Sequence, residues 1–201
     1  MAVRQQEPLV LASASPRRRM ILEQLGIGFR VLPSGIDESA LPGETPEQHA
    51  ERLARDKAAE VVQRLLAQGE ASWVLAADTM VVVDDEVLGK PRDDADALRM
   101  LMLLSGRKHR VITGVALRHT ERGGQSCVFT TEVAFRRLDR ASAQAYVASG
   151  EARDAAGSYA IQGLGSGLVT EIAGSYTNVV GLPAGETLDL LLRAGVLGAW
   201  P

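Results

Sequence analysis

The sequence predicts an α/β fold, a single domain over 1–201 built on a mixed β-sheet with flanking helices. Three observations carry that prediction. Apolar runs of strand length alternate along the chain with stretches of helical periodicity. The runs at 73–83 and 86–88 are joined by Asp84-Asp85, a hairpin signal that makes part of the sheet antiparallel. The chain has 201 residues, 46% hydrophobic and 23% charged, enough to bury a core without disulfides or metal staples.

Taken in order, Pro8 to Ala12 reads as a buried strand. Ser15 and Pro16 suit the cap and first position of a helix that carries Met20, Ile21, Leu22 and Leu25 and stops at Gly26. Phe29 to Leu32 predicts a second strand, followed by a loop around Ile36-Asp37-Glu38. Thr45-Pro46-Glu47-Gln48 is a capping box that opens the longest helix, which runs to about Gln68-Gly69. Trp73 to Val83 is a strongly apolar strand whose pattern breaks at Asp78-Thr79. Glu86-Val87-Leu88 returns, and Gly89-Lys90-Pro91 ends the hairpin. Ala95 to Leu104 predicts a helix with a Ser105-Gly106 stop. Arg110 to Arg118 and Ser126 to Leu138 read as long strands joined by a Gly123-Gly124 turn. A short helix from Ser142 to Ala148, a glycine-rich stretch from Gly157 to Gly167 and a closing helix from Thr187 to Arg193 complete the order.

Composition narrows the function. A net charge of −3 argues against a general binder of nucleic acid or of membrane surfaces, and 4% aromatic residues are too few for base-stacking platforms. The single cysteine, Cys127, forbids a disulfide within the chain and fits a reducing cytosol. The apolar run Leu9 to Ala12 is too short for a signal-peptide core, and no window approaches the roughly 18 apolar residues of a membrane helix. The expectation is a cytoplasmic protein with no nucleic-acid and no membrane partner.

The informative positions are those whose residue types do not suit their places. Arg17, Arg18 and Arg19 occupy the opening turns of a helix, where each cation opposes the macrodipole by about 0.3–1 kcal/mol. Such a turn is either solvated or a site for a polyanion, phosphate above all. Lys57 lies one turn from Leu53 and Val61, at the edge of a stripe with Ala50, Ala54 and Leu65. It either snorkels to water or directs its ammonium into a cleft. Asp78 interrupts an apolar strand, and a buried carboxylate there requires a cation, a metal or hydrogen-bond donors. A functional acid, base or metal ligand outweighs a structural ion pair at this position. Lys90, between Gly89 and Pro91, is a solvated loop lysine or a phosphate contact. The arginines, the two lysines, Asp78 and the loop residue Glu38 together match the recurring equipment of phosphoanhydride chemistry. Cations hold phosphates, while carboxylates hold a divalent metal and orient or deprotonate water.

Other motifs fail on their details. Gly163-Leu164-Gly165-Ser166-Gly167 has the wrong spacing for a dinucleotide fingerprint, and Leu88-Gly89-Lys90-Pro91 lacks the upstream glycine and following Ser/Thr of a Walker loop. His49, His109 and His119 are scattered and, with one cysteine, form no zinc pattern.

Leu11-Ala12-Ser13-Ala14-Ser15-Pro16-Arg17-Arg18 resembles the N-terminal signature of the Maf-like nucleotide pyrophosphatases. Ala77-Asp78-Thr79 with Gly89-Lys90-Pro91 resembles the family's central block, continued by Leu104-Ser105-Gly106-Arg107, His109 and Thr113-Gly114-Val115. The segments from Ala156 to Gly163 and from Gly174 to Pro183 resemble its C-terminal blocks. The similarity runs in order over nearly the whole chain. It implies hydrolysis of a nucleoside triphosphate between the α- and β-phosphates with a divalent metal cation, Mg²⁺ or Mn²⁺, often in a homodimer. It also implies an elongated mixed sheet in two lobes around a cleft, resembling the inosine triphosphate pyrophosphatases.

On the matching positions, the resemblance makes Asp78 the proton acceptor and has Arg17, Arg18, Lys57 and Lys90 hold phosphates. Glu38 assists the metal or the water, so Asp78 and Glu38 are the metal-facing carboxylates, and Ser13 joins the substrate-binding set. Arg17 directly after Pro16, Thr79 after Asp78 and Gln162 in Ile161-Gln162-Gly163 resemble the branch acting on dTTP and UTP. The branch acting on 7-methyl-GTP differs at those places. Gln162 offers a donor and an acceptor, which suits the carbonyl and N–H edge of uracil or thymine. Ala155 stands where many relatives have lysine, which removes one phosphate or stabilising contact. A regulatory role in bacterial septum formation, tied to the family name, is the alternative outside catalysis.

Overall fold

The computed structural model describes residues 3–151 and 153–200. Strands β1 (Arg4–Gln5) and β9 (Leu197–Ala199) form a small antiparallel pair. The larger sheet has seven strands. Its order is β3 (Arg30–Val31), β2 (Leu9–Leu11), β4 (Trp73–Val83), β6 (Lys108–His119), β7 (Gly123–Phe135) and β8 (Val169–Ala173), with β5 (Glu86–Leu88) paired to β4. β2 runs parallel to β3 and β4, whereas β5 is antiparallel to β4 and β8 to β7. The expected mixed sheet is present.

The chain divides into two compact units. The first comprises Met1–Asp78, Thr113–Phe129 and Gly181–Pro201; the second comprises Thr79–Ile112 and Thr130–Val180. In the first unit, helix α2 (Pro46–Ala67) opens on the predicted capping box. Thr45 Oγ1 accepts from Gln48 N–H at 3.2 Å and Gln48 Oε1 accepts from Thr45 N–H at 2.9 Å. Its buried stripe, His49, Ala50, Leu53, Ala54, Lys57, Ala58, Val61, Val62 and Leu65, recurs at helical spacing. Ala54 and Ala58 pack with Val10, Ala12, Val74 and Ala76 of the sheet, and small side chains on both sides let the helix approach closely. Gly114 in β6 permits the same approach, because a β-carbon there would fall inside the Ala50 carbonyl. Lys57 is carried into the interior by this seating.

Helix α1 (Pro16–Gln24) also belongs to the first unit, and Gly26 follows it at φ 70° as the expected stop. Ser15 occupies the cap position but makes no side-chain capping bond; its N–H donates to Ser13 Oγ at 3.2 Å. The expected turn at Gly123-Gly124 is displaced. Both glycines begin β7, and a β-carbon on Gly124 would strike the Leu117 carbonyl and Arg118, so that glycine serves strand approach and the turn lies at 120–122. β3 is two residues rather than the four expected, as suits a sheet edge. Helix α6 (Ala184–Arg193) starts three residues before the expected Thr187.

The second unit holds α3 (Asp94–Leu104), α4 (Arg140–Ala148), α5 (Tyr176–Val180) and two short 3₁₀ helices, Ala156–Ser158 and Gly163–Leu168. Asp84 and Asp85 take φ of 47° and 65°, the left-handed pair that a two-residue hairpin requires. The interior includes His109, Phe135 and Tyr159 in edge-on contact, with centroids 5.0, 5.4 and 4.7 Å apart. His109 Nε2 lies 2.8 Å from the Tyr159 hydroxyl. Burial pushes the imidazole down to about 4 from its ordinary 6.5 and pushes the Tyr159 phenol up. Between those two values the unfolded chain takes up the His109 proton and the folded chain does not, so stability is full above 6.5 and falls as pH drops toward about 4. The whole loss is roughly 3 kcal/mol. Urea unfolding of wild type and His109→Phe across this window is expected to show a shallower pH slope in the variant. Among the described residues, no helix is long and apolar enough to cross a membrane.

Candidate active site

Three elements of the first unit converge on one point. β4 supplies Asp78, only 8% exposed, at a register where its neighbour Thr79 points to the opposite face. α2 supplies Lys57, 7% exposed. The loop before α2 supplies Glu38, whose side chain is 60% exposed. Lys57 Nζ lies 2.6 Å from Asp78 Oδ1 and 2.6 Å from Glu38 Oε1. The ammonium therefore holds two carboxylates together and does not snorkel to water. The bridge engages one oxygen of each carboxylate, Asp78 Oδ1 and Glu38 Oε1.

The Glu38 loop is fixed from α2. His49 Nε2 lies 3.1 Å from the Glu38 carbonyl oxygen, and the Arg52 guanidinium donates to the Ser39 carbonyl at 2.9 Å. Arg52 also pairs with Glu44 at 2.7 and 3.0 Å, and Asp37 Oδ1 accepts from Ser39 N–H at 3.0 Å. His49 and Arg52 are the positioning residues that sequence reasoning missed. By sequence His49 is one of three scattered histidines, and a bond to a carbonyl eleven residues upstream leaves no periodic signal.

α1 brings cations to the same region. Arg18 is buried, donating from Nε to the Gly181 carbonyl at 2.9 Å and from a terminal nitrogen to Ser13 Oγ at 3.0 Å. Burial lowers its pKa, while the nearby charges of Asp78 and Glu38 act in the opposite direction. Arg17 is half-buried, Arg19 is exposed, and the first turn carries no acidic residue. Lys57 and Arg18 thus offset the charges of Asp78 and Glu38, and Arg17, half-buried next to Arg18 on α1, adds a third cation. This balance, together with the N–H groups at the start of α1, favours an anion.

Metal fit follows from the donor set. Among the described residues, no group of three or more His, Cys, Asp or Glu could enclose an ion. Two carboxylates do fit a Mg²⁺-type ion, which is commonly held by one or two carboxylates and completed by substrate phosphates and water.

The remaining sequence-predicted residues lie in the second unit. Thr79 is half-buried on β4. Lys90 is exposed in a loop pinned by the Gly157 N–H, which donates to the Gly89 carbonyl at 3.0 Å. Gln162 is half-buried and precedes the 3₁₀ helix Gly163–Leu168. The structure thus gathers Ser13, Arg17, Arg18, Glu38, Lys57 and Asp78 in the first unit, and places Thr79, Lys90 and Gln162 in the second.

Comparison with known proteins gives consistent matches. The family model described as Maf-like protein matches residues 8–194. The dTTP/UTP pyrophosphatase of Anaeromyxobacter dehalogenans (strain 2CP-C) is 52% identical over 195 residues, 96% of this chain and 96% of that protein. The dTTP/UTP pyrophosphatase of Myxococcus xanthus (strain DK1622) is 52% identical over 194 residues, 96% of this chain and 95% of its own. Among solved structures, a HAM1 protein from Coxiella burnetii matches at 20% identity and a TM-score of 0.44, covering 66% of this chain and 75% of that one.

Proposed function

The chain belongs to the Maf-like protein family, and we propose that it hydrolyses dTTP and UTP to the monophosphate and pyrophosphate. Relatives at about half identity over nearly the full chain bear that activity in their names. The observation that carries the reading is the Lys57 bridge, 2.6 Å to each of Asp78 and Glu38, beside the arginine-bearing start of α1.

In this reading Arg17 and Arg18 hold phosphate oxygens, with the Ser13 hydroxyl donating beside them. Lys90 adds a further phosphate contact. Asp78 accepts a proton from the attacking water; the new P–O bond forms as the bond to the bridging oxygen breaks and pyrophosphate leaves. Lys57, 2.6 Å from Asp78 Oδ1, holds that carboxylate oriented for the transfer. A divalent cation held by Asp78 and Glu38 would supply neutralisation of charge on the phosphate oxygens. Thr79 and Gln162 belong to the substrate-binding set, with Gln162 pairing the base edge. Residues 1–201 act as one functional domain, in the cytoplasm and as a homodimer, with no nucleic-acid partner.

Pyrophosphate release from dTTP, UTP, CTP, ATP and 7-methyl-GTP, each with Mg²⁺ and with Mn²⁺, tests the reading. dTTP and UTP are expected to react at least about tenfold faster than the others, as a site that pairs polar base edges allows. Activity confined to 7-methyl-GTP would keep the chemistry and overturn the role given to Gln162. The absence of release from every triphosphate would overturn the enzyme.

A further inference from the structure

Gln162 stands at the cap position of the 3₁₀ helix Gly163–Leu168, yet its side chain makes no capping hydrogen bond. A cap side chain ordinarily accepts from the second or third N–H of its own helix. Here both of those donors go elsewhere. Leu164 N–H donates to Glu151 Oε2 at 2.7 Å, and Gly165 N–H donates to Glu151 Oε1 at 2.8 Å. Glu151 Oε1 also accepts from the Tyr146 hydroxyl at 3.0 Å, and that hydroxyl accepts from Ala160 N–H at 3.1 Å. Residues 160–165 are therefore tied on both sides of Gln162 to one Tyr146–Glu151 pair. Two glycines make room for it. A β-carbon on Gly163 would strike the Glu151 carboxylate, and one on Gly165 would strike the Ala160 carbonyl and the Tyr146 hydroxyl.

We propose that Glu151 is a positioning residue for base selection. By capping the helix in place of Gln162, it leaves the Gln162 amide to the nucleobase, and with Tyr146 it fixes where that amide sits. The inference rests on the reading of Gln162 as the residue that faces the base. Its physical content is a competition. Without Glu151, the Leu164 and Gly165 N–H groups lose their acceptor, and the side-chain carbonyl of Gln162 is the capping group next in line. Captured there, it is lost to the N–H of uracil or thymine. The amide of a glutamine can also turn over and pair with cytosine, so preference for uracil depends on where the chain holds it.

The test compares kcat/KM for UTP and CTP in the full-length wild type, Glu151→Ala, Glu151→Gln, Gln162→Ala and the double variant Glu151→Ala/Gln162→Ala. Inhibition by tripolyphosphate, which carries no base, serves as the control. Glu151→Ala and Gln162→Ala are each expected to reduce the UTP preference about tenfold, as expected from the loss of a base-pairing hydrogen bond. The double variant should fall little further, while tripolyphosphate inhibits all of them as it does wild type. Glu151→Gln, which keeps the bulk and one acceptor, should lose part of the preference and guards against a misfolded alanine variant. If Gln162→Ala loses the preference and both Glu151 variants keep it, the proposal is overturned. A loss of tripolyphosphate affinity equal to the loss for UTP also overturns it, because that marks a merely structural residue. Should Gln162→Ala itself keep the wild-type preference, the base-facing reading fails first, and it does so through a different variant.

Discussion

Asp78→Asn is expected to slow pyrophosphate release from dTTP and UTP by about 10²–10⁴-fold, the range that a positioned general base contributes. Asparagine keeps an oxygen for Lys57, which lies 2.6 Å from Asp78 Oδ1, so the strand and the bridge can persist while the amide takes no proton. Substrate affinity should therefore change far less than turnover. Single-turnover kinetics with matched thermal unfolding separate the two effects. A variant that retains a third or more of wild-type turnover would show that the base is another group.

Lys57→Met carries the largest expected effect on stability. Methionine fills the stem of the lysine but leaves Asp78 and Glu38 facing each other without the ammonium. Breaking one partner out of a buried pair costs about 3–5 kcal/mol. The lower end applies here, since the Glu38 side chain is 60% exposed and can turn to water. Turnover should also fall steeply, because the carboxylates lose the group that orients them. The double variant Lys57→Met/Asp78→Leu replaces the buried charges with apolar side chains, so it should recover stability without recovering activity. Calorimetric unfolding of the single and double variants checks this; a single variant as stable as wild type would remove Lys57 from the centre of the account.

The sequence was most readable where local chemistry decides structure. The capping box at Thr45, the strand Trp73–Val83 and the Asp84-Asp85 hairpin appear where residue types put them, since caps and left-handed turns are made within a few residues. Asp78 and Lys57 were visible as charges set against apolar surroundings. Their pairing was not, because periodicity reports which face a side chain occupies and not what it meets there. Lys57 could still have reached water until the close seating of α2 was known. Gly123-Gly124 misled because glycine serves turns and close strand approach alike, and only the packing partner distinguishes them. Ser15 stands at the cap position that its type suits, but its side chain makes no capping bond there, a detail of local geometry that residue type does not decide. Glu151 lay outside every motif because the donors it accepts from include backbone N–H groups and a hydroxyl, which carry no sequence signature.

The decisive experiment is to resolve the products of dTTP and UTP hydrolysis by anion-exchange chromatography, with Mg²⁺ present and wild type beside Asp78→Asn. The account predicts one monophosphate and one pyrophosphate per triphosphate consumed, and almost none from the variant. Diphosphate with orthophosphate, or equal release by the two proteins, would contradict it.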